Sequence, residues 1–397
     1  MEENNDNIPI ALNQPVEEIH ESIINSNIPS VKQENETKID EQKEEQKEEK
    51  KEEQKIEEEP KIVEQTEEHV ETEIQKSSQK NDEQRDKEES KKEEKVEENI
   101  EIQFNEIKEA ENIHNLITQK VKTKIVEIIC KLSNEQRQLL KNSYISQYGQ
   151  ELDKELNSLL SGKVKDLISD LMMNPIDFAA KEINESMRGL GTNEESLSEM
   201  LSTRTNRQIG KIKEAYIKLY KNTLEDDIKG DTSGTYEKIL IAFSQGMRSD
   251  NPYPNTQKMK EIVQKLKEDE EGKINKDEYI RLFSTCSYGE ICTIYRLYKK
   301  TYNKNLIDEI KKEFDKDTFT FMNYFLSYIS DPGAFFAEKI HKFDDQSLRR
   351  ILVLRNEIDM DDIRYSYKEL YNTELVDDIE SKFKDDYQLA LRILAQK

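Results

Sequence analysis

Residues 177 to 206 read DFAAKEINESMRGLGTNEESLSEMLSTRTN. Within this stretch, Gly189 and Gly191 let the backbone reach positive φ, so that it can direct several carbonyl oxygens, including that of Met187, toward one point. Oxygen is the ligand that hard cations such as Ca²⁺ prefer. Carbonyl groups bring no net charge, so a metal site here needs a carboxylate from elsewhere in the chain. Asp231 can supply two oxygens from a second loop.

The residues after the second glycine carry a signal for the start of a helix. Thr192 is followed three positions later by Glu195, which is the spacing of a capping box. This spacing predicts that a helix begins directly after the glycine loop, so that the loop connects two helices. A plain hinge between helices, without a bound ion, is the alternative interpretation of Gly-Leu-Gly.

The sequence on both sides of the loop, from Asp177 to Asn251, resembles a complete repeat of the annexin family. The resemblance rests on four short motifs: FAAKE at 178–182, RTN at 204–206, EDDIK at 225–229 and GDTSG at 230–234. A glycine loop paired with a distant acid is the principal calcium motif of that family. The resemblance therefore implies Ca²⁺ as the bound ion, with four ligand residues: Met187, Gly189, Gly191 and Asp231.

A spacing Tyr-x-x-x-Tyr-x-x-x-Leu occurs four times and reveals an internal repeat. The copies begin at Tyr144, Tyr216, Tyr298 and Tyr367, at intervals of 72, 82 and 69 residues. Positions four apart share one face of a helix, so each copy predicts an inward-facing stripe at the same place in its unit. We expect these tyrosines to pack in the core and to have no catalytic role. The surrounding apolar residues recur at helical spacing, with almost no alternating strand pattern.

Four helical units of this length match the core of an annexin. The resemblance implies an all-α fold, in which four annexin-type repeats of about five helices each form a curved disc with its calcium loops on the convex face. The predicted segments are an acidic tail at 1–104 and repeats at 105–175, 176–251, 252–331 and 332–397.

The first and fourth units lack the chemistry of the glycine loop. In the first unit, KVKT at 120–123 replaces the glycine turn, and Leu159 stands at the position that matches Asp231. In the fourth unit, six residues are missing within 340–348 relative to the second unit, and Lys382 takes the acid position. Without glycines or a carboxylate, neither unit is expected to bind calcium in this way.

The third unit keeps part of the motif. Glu313 holds the acid position, but the loop reads EGKI at 271–274, with Gly272 as its one glycine and a lysine where the second belongs. That lysine brings positive charge and a Cβ close to the ion, so Gly272 and Glu313 form a weaker candidate site. In EF-hand register, residues 267–278 place Lys267 at the first position, where an acid normally anchors the ion. A working EF-hand is therefore not expected.

Composition separates the first quarter of the chain from the rest. Residues 1–104 contain 34 acidic and 15 basic side chains, a net charge of −19, and the remaining residues carry only −5 of the total of −24. Stretches such as EQKEEQKEEKKEEQKIEEE at 41–59 hold almost no apolar residue, so they cannot offset the entropy lost on ordering. We expect a disordered tail or a transient charged helix. A coiled coil is the alternative, although no heptad of apolar residues is sustained there.

A loop site with one carboxylate is expected to bind calcium weakly, at roughly 10⁻⁴ to 10⁻³ M, unless a further anion completes the coordination. The phosphate of an anionic lipid is such an anion, and calcium and lipid then raise each other's affinity by linkage. Arg188 can pair with a lipid phosphate, Leu190 at the loop tip can enter the headgroup region, and Thr192 is assigned to the same lipid contact. A solvated charge and an ordinary exposed leucine are the alternatives for Arg188 and Leu190.

These features predict a cytoplasmic protein that docks peripherally on anionic phospholipid membranes when calcium rises. The alternative is a calcium-independent structural scaffold on the same fold. In either case the tail is a candidate contact for a protein partner. No combination of nucleophile and base is recognisable, so an enzyme is not expected.

Several other classes are not expected from composition. The chain lacks a basic start followed by an apolar run, and it lacks any run of about 20 apolar residues, so neither a secretion signal nor a membrane span is predicted. Its acidity argues against nucleic acid as a partner. Its three cysteines, Cys130, Cys286 and Cys292, show no paired spacing and fit a reducing compartment.

Overall fold

The computed structural model describes residues 104–189, 191–266 and 274–397. This part of the chain contains twenty α-helices and no β-strands, in four successive groups of five. Residues 105–397 belong to one compact unit. The predicted all-α fold of four five-helix units is confirmed. The acidic tail predicted for the first quarter of the chain lies, up to residue 103, outside the described residues.

The helices of the first group are α1 (Glu106–Thr118), α2 (Lys122–Lys131), α3 (Asn134–Tyr148), α4 (Leu152–Leu159) and α5 (Gly162–Leu171). The second group contains α6 (Pro175–Met187), α7 (Glu194–Ser202), α8 (Asn206–Tyr220), α9 (Leu224–Asp231) and α10 (Gly234–Ser244). The third contains α11 (Thr256–Lys265), α12 (Lys276–Thr285), α13 (Tyr288–Tyr302), α14 (Leu306–Glu313) and α15 (Lys316–Ser330). The fourth contains α16 (Pro332–His341), α17 (Asp345–Arg355), α18 (Met360–Tyr371), α19 (Leu375–Lys382) and α20 (Asp385–Ala395). None of these described helices is long and apolar enough to cross a membrane.

The third helix begins in the same way in the first three groups. A hydroxyl side chain before the helix accepts a backbone N–H from the first turn, and a Gln or Glu side chain accepts the N–H of the hydroxyl residue. The pairs are Ser133–Gln136, Thr205–Gln208 and Ser287–Glu290. Each pair satisfies two N–H groups that the start of a helix leaves without an intrahelical acceptor. The groups therefore share local capping signals as well as a hydrophobic pattern.

Each third helix ends at the second tyrosine of the repeated spacing. The residue that follows has a left-handed backbone, with φ between 51° and 66°: Gly149, Lys221, Asn303 and Asn372. The leucine of the spacing is then the first residue of the fourth helix. The prediction of one continuous stripe on one helix is wrong in this respect, because the left-handed residue ends the third helix before the leucine. The leucines are still buried: Leu152, Leu224, Leu306 and Leu375.

The first tyrosine of each copy packs in the core, as predicted. All four are at most 3% exposed: Tyr144, Tyr216, Tyr298 and Tyr367. Buried hydroxyls need polar partners. The Tyr144 hydroxyl lies 3.1 Å from Nδ1 of His114, and that of Tyr367 donates to Asp378 at 2.6 Å. Burial raises the pKa of Tyr144 to about 12. These tyrosines are packing residues, and the hydroxyls of Tyr144 and Tyr367 also connect neighbouring helices.

The groups pack in pairs. The first contacts the fourth through α2 and α20, the second contacts the third through α7 and α15, and α17 of the fourth contacts α6 of the second. Near that last contact, buried Arg350 donates to both carboxylate oxygens of Glu199, at 2.9 and 2.8 Å, and to Glu182 at 3.4 Å. Burial by itself would lower the pKa of Arg350, but the two glutamates outweigh burial and raise it.

Candidate metal site

The glycine loop connects α6 and α7, and backbone shape requires its glycines. Met187, whose side chain is buried, is the last residue of α6. Gly189 and Gly191 have φ of 112° and 91°, which L side chains rarely adopt. A Cβ at either position would meet no atom within 4 Å. Glycine is therefore required by the backbone conformation, and not by a lack of space for a side chain. The loop is closed by the N–H of Asn193, which donates to the Ser186 carbonyl at 2.7 Å.

Asp231 lies next to this loop, although it is 39 residues from Thr192 along the chain. The Thr192 hydroxyl donates to Oδ2 of Asp231 at 2.6 Å and also lies 3.2 Å from its backbone carbonyl oxygen. Oδ1 has no protein donor among the described residues, so the carboxylate keeps an oxygen for a cation. Asp231 is the last residue of α9. Its predicted place on a loop is therefore wrong, because the intrahelical bond from Thr232 N–H to the Ile228 carbonyl is still made.

Asn193, and not Thr192, caps α7. The Asn193 side chain accepts the N–H of Ser196 at 3.0 Å, and the helix begins at Glu194. The prediction of a capping box from Thr192 to Glu195 is wrong, because the Thr192 hydroxyl is already bonded to Asp231. The spacing of 39 residues between Thr192 and the acid is present in the sequence, but spacing alone does not show that the two side chains bond to each other.

The available ligands at the loop are oxygens, and most of them belong to the backbone. In the described part of the chain, no group of three or more His, Cys, Asp or Glu side chains is arranged to hold a metal. An ion at this loop therefore depends on the carbonyls assigned to Met187, Gly189 and Gly191, with Asp231 as the one carboxylate. Such a set fits Ca²⁺, which takes roughly six to eight oxygens in flexible geometry.

The structure describes two of the three residues that were assigned to lipid contact. Arg188 is exposed beside the loop and has no carboxylate partner among the described residues. Thr192 is half-buried and bonded to Asp231. Leu190 lies outside the described residues. Contact of these three residues with lipid stays a prediction.

The matching places in the first and fourth groups hold different chemistry. Leu159 ends α4 and Lys382 ends α19, as Asp231 ends α9. Phe343 belongs to the shortened loop of the fourth group, between α16 and α17. Nζ of Lys382 lies 4.6 Å from the centroid of its ring. A lysine and an aromatic ring thus occupy the region where the second group has an acid and a glycine turn. That neither group binds calcium in this way stays a prediction, which this arrangement supports.

The third group is described only in part at its loop. Glu313 ends α14, in the place of Asp231, and its carboxylate lies 3.2 Å from Nζ of Lys312. Gly272 and residues 267–273, which include the first position of the EF-hand register, lie outside the described residues. The weaker second site stays a prediction.

Comparison with known proteins gives consistent matches. The family model Annexin matches residues 108–171, 177–243 and 336–394, within the first, second and fourth groups. Annexin A1 of Bos taurus is 33% identical over 298 residues, which are 72% of this chain and 86% of that protein. The solved structure of annexin III is 31% identical, with a TM-score of 0.71, and the match covers 74% of this chain and 95% of that one. Calcium-bound annexin (Sm)1, at 24% identity and a TM-score of 0.65, shares the fold over 74% of this chain and 90% of that one.

Sequence identity and architecture agree over most of the described helices. The five-helix groups correspond to the repeats of the matched family, and the glycine loop with Asp231 lies in a repeat that the family model covers. Proteins of this family generally bind phospholipid in a calcium-dependent manner. This chain is a member of the annexin family.

Proposed function

We propose that this annexin docks on anionic phospholipid membranes when calcium rises, through the loop of its second repeat. The observation that carries the proposal is the 2.6 Å hydrogen bond from Thr192 to Asp231, which joins the one acid of the site to the glycine loop. Asp231 and the carbonyls of Met187, Gly189 and Gly191 are the proposed calcium ligands. Gly272 and Glu313 are proposed as a weaker second site.

The membrane supplies the negative charge that the protein ligands lack. One carboxylate and a few carbonyls leave a calcium ion short of negative charge, and lipid phosphates can complete its coordination. Arg188, Leu190 and Thr192 are the proposed lipid contacts beside the ion. The annexin (Sm)1 structure named above is calcium-bound, which supports calcium as the ion of this fold.

The protein is a cytoplasmic protein at low calcium and a peripheral membrane protein at high calcium. It has no catalytic activity and no nucleic acid partner, and the acidic tail is the proposed contact for a protein partner. The proposed repeats span 105–175, 176–251, 252–331 and 332–397, and the proposed tail spans 1–104.

Substitution of the carboxylate tests the site. Asp231→Ala removes the one charged ligand, so the calcium concentration needed for half-maximal sedimentation with phosphatidylserine vesicles should rise at least about tenfold. Helix content should stay unchanged, because alanine is well tolerated at the end of a helix. Glu214→Ala, an exposed acid on α8, is the matched control and should bind as the wild type does. Equal calcium dependence of the Asp231 variant and the wild type would place the principal site elsewhere.

A further inference from the structure

A cleft of about 550 Å³ lies between the first and fourth repeats, where α5 and α20 begin. Lys163 lines it from the first repeat, and Lys382 and Lys384 line it from the fourth. A hydrogen bond of 2.7 Å from Thr123 to Asp386 brings the start of α2 to the same edge, and with it the neighbouring residue Lys122. These four lysines are called the lysine rim below: Lys122, Lys163, Lys382 and Lys384.

The positive charge of the lysine rim is only partly balanced by the protein. All four lysines are exposed. Lys163 pairs with Asp345 at 2.9 Å. The other three have no carboxylate partner among the described residues, and the nearby Asp386 accepts from Thr123 instead. Asp385 and Asp386 also line the cleft, and Lys382 lies over the Phe343 ring, but none of these forms an ion pair with Lys122, Lys382 or Lys384. Three cations are therefore available at one edge of the cleft for an external anion.

One member of the lysine rim, Lys382, occupies the position that corresponds to Asp231 in the second repeat. Lys382 is the last residue of the fourth helix in its repeat, and Asp231 is the last residue of the fourth helix in the second. An aspartate that holds Ca²⁺ carries a combined charge of +1, and a lysine carries +1 without any metal. The fourth repeat thus presents permanently the charge that the second repeat acquires only with calcium.

An exposed apolar side chain stands beside the lysine rim. Val121 is 39% exposed at the start of α2, between Lys120 and Lys122, which are both exposed. Lys120 has φ of 58°, so the chain turns sharply just before the valine. An apolar side chain flanked by cations suits the interface of an anionic bilayer, where the valine enters the headgroup region and the ammonium groups meet phosphates.

We infer that the lysine rim and Val121 bind the headgroups of anionic phospholipids without calcium. The protein then has two membrane contacts with different requirements, since the loop at Asp231 needs calcium and the lysine rim does not. This inference does not depend on Asp231. A lysine close to an anionic surface contributes a factor of about five in binding, so neutralising three of them should weaken binding at least about tenfold after allowance for the nearby aspartates.

The test uses the full chain and vesicles rich in phosphatidylserine, in chelator and at low salt. The rim variant carries Lys122→Gln, Lys382→Gln and Lys384→Gln, which are the three lysines without a carboxylate partner. The control variant carries Lys299→Gln, Lys300→Gln and Lys304→Gln, so it loses the same charge. All three lysines are exposed: Lys299 and Lys300 in the last turn of α13, and Lys304 just before α14 begins. They therefore lie near the start of α14, whereas the position that matches Lys382 is at its end.

The expected result is calcium-free binding by the wild type and the control variant, and binding at least about tenfold weaker by the rim variant. Wild-type binding in chelator should also fall as salt rises, and vesicles of phosphatidylcholine alone should bind nothing. Asp231→Ala should keep the calcium-free binding, which separates this inference from the calcium site. Calcium-free binding that is unchanged in the rim variant, or lost equally in both variants, would overturn the inference. So would the absence of calcium-free binding in the wild type.

Discussion

At the scale of single residues, Thr192 connects the glycine loop to the acid that is distant in sequence. Its hydroxyl bonds to one oxygen of Asp231 and leaves the other without a protein donor among the described residues. A carboxylate held at one oxygen loses less freedom when a cation binds at the other. Thr192 is therefore a positioning residue for the proposed calcium site, in addition to its proposed contact with lipid.

Thr192→Val removes the hydroxyl and keeps the shape of the side chain. A hydrogen bond to a charged group contributes about 1.5–3 kcal/mol, so calcium-dependent vesicle binding should require roughly tenfold more calcium. Thr192→Ser keeps the hydroxyl and should remain within about threefold of the wild type, which isolates the bond from the loss of packing. Calcium titrations of vesicle co-sedimentation measure both variants. An unchanged titration for Thr192→Val would show that Asp231 needs no support from the loop.

At the scale of elements, the four third helices end in the same left-handed conformation with different residues. The first repeat uses Gly149, the third and fourth use Asn303 and Asn372, and the second uses Lys221 with φ of 58°. Glycine adopts this conformation without steric cost and asparagine does so readily, whereas a lysine there brings its Cβ close to a backbone oxygen. The second repeat therefore carries local strain at the junction that leads into α9, the helix that ends at Asp231.

Lys221→Gly should stabilise the protein by about 0.5–1 kcal/mol, because relief of the left-handed strain exceeds the extra entropy that glycine has in the unfolded chain. Gly149→Lys is the reciprocal change at the same place in the first repeat, and it should destabilise by a similar amount. Urea denaturation followed by circular dichroism compares the midpoints. If both variants shifted the midpoint in the same direction, backbone conformation would not be the cause.

At the scale of the whole molecule, Arg350 joins the second and fourth repeats through buried charges. Burial raises the pKa of Glu182, and Arg350 opposes that shift. Burial would likewise raise the pKa of Glu199, but Arg350 outweighs it and lowers the pKa. Removing the arginine leaves two buried carboxylates without their ion-pair partner, and only the more distant charges of Lys339, Arg204 and Arg349 then act on them. This loss is more costly than that of an exposed ion pair.

Arg350→Met should destabilise the protein by about 3–5 kcal/mol at neutral pH. Without the guanidinium, burial raises both glutamate pKa values above those of the unfolded chain, so the folded state retains protons that the unfolded state releases. The loss of stability should therefore be largest at neutral pH and should shrink as pH falls through the raised pKa values.

Denaturation midpoints at neutral and mildly acidic pH measure this dependence. Combining Arg350→Met with Glu182→Gln and Glu199→Gln removes the unpaired charges, so it should recover part of the stability and abolish the pH dependence. A destabilisation by Arg350→Met that is the same at both pH values would show that lost packing, and not unpaired charge, is responsible.

Much of the architecture follows from local patterns. The repeated tyrosine spacing shows four units, and helical periodicity shows their class, because burial of one helix face is encoded within a few turns of chain. The loop at 187–192 is also recognisable locally, since two glycines separated by one residue predict the positive φ that the backbone adopts at Gly189 and Gly191. The family resemblance adds the expected partner ion, which local pattern alone leaves open against a plain hinge.

The features that the sequence did not predict are contacts between distant segments. Thr192 fits a capping box by spacing, but its hydroxyl bonds to Asp231 because the fold brings the end of α9 beside the loop. The lysine rim is assembled from two repeats, with Thr123 and Asp386 in contact across 263 residues of chain. Sequence alone therefore determined the repeats, their helices and the glycine loop that is the candidate ion site. Only the tertiary structure decided which side chains meet, because hydrogen bonds and charge clusters depend on distances in space that local patterns do not specify.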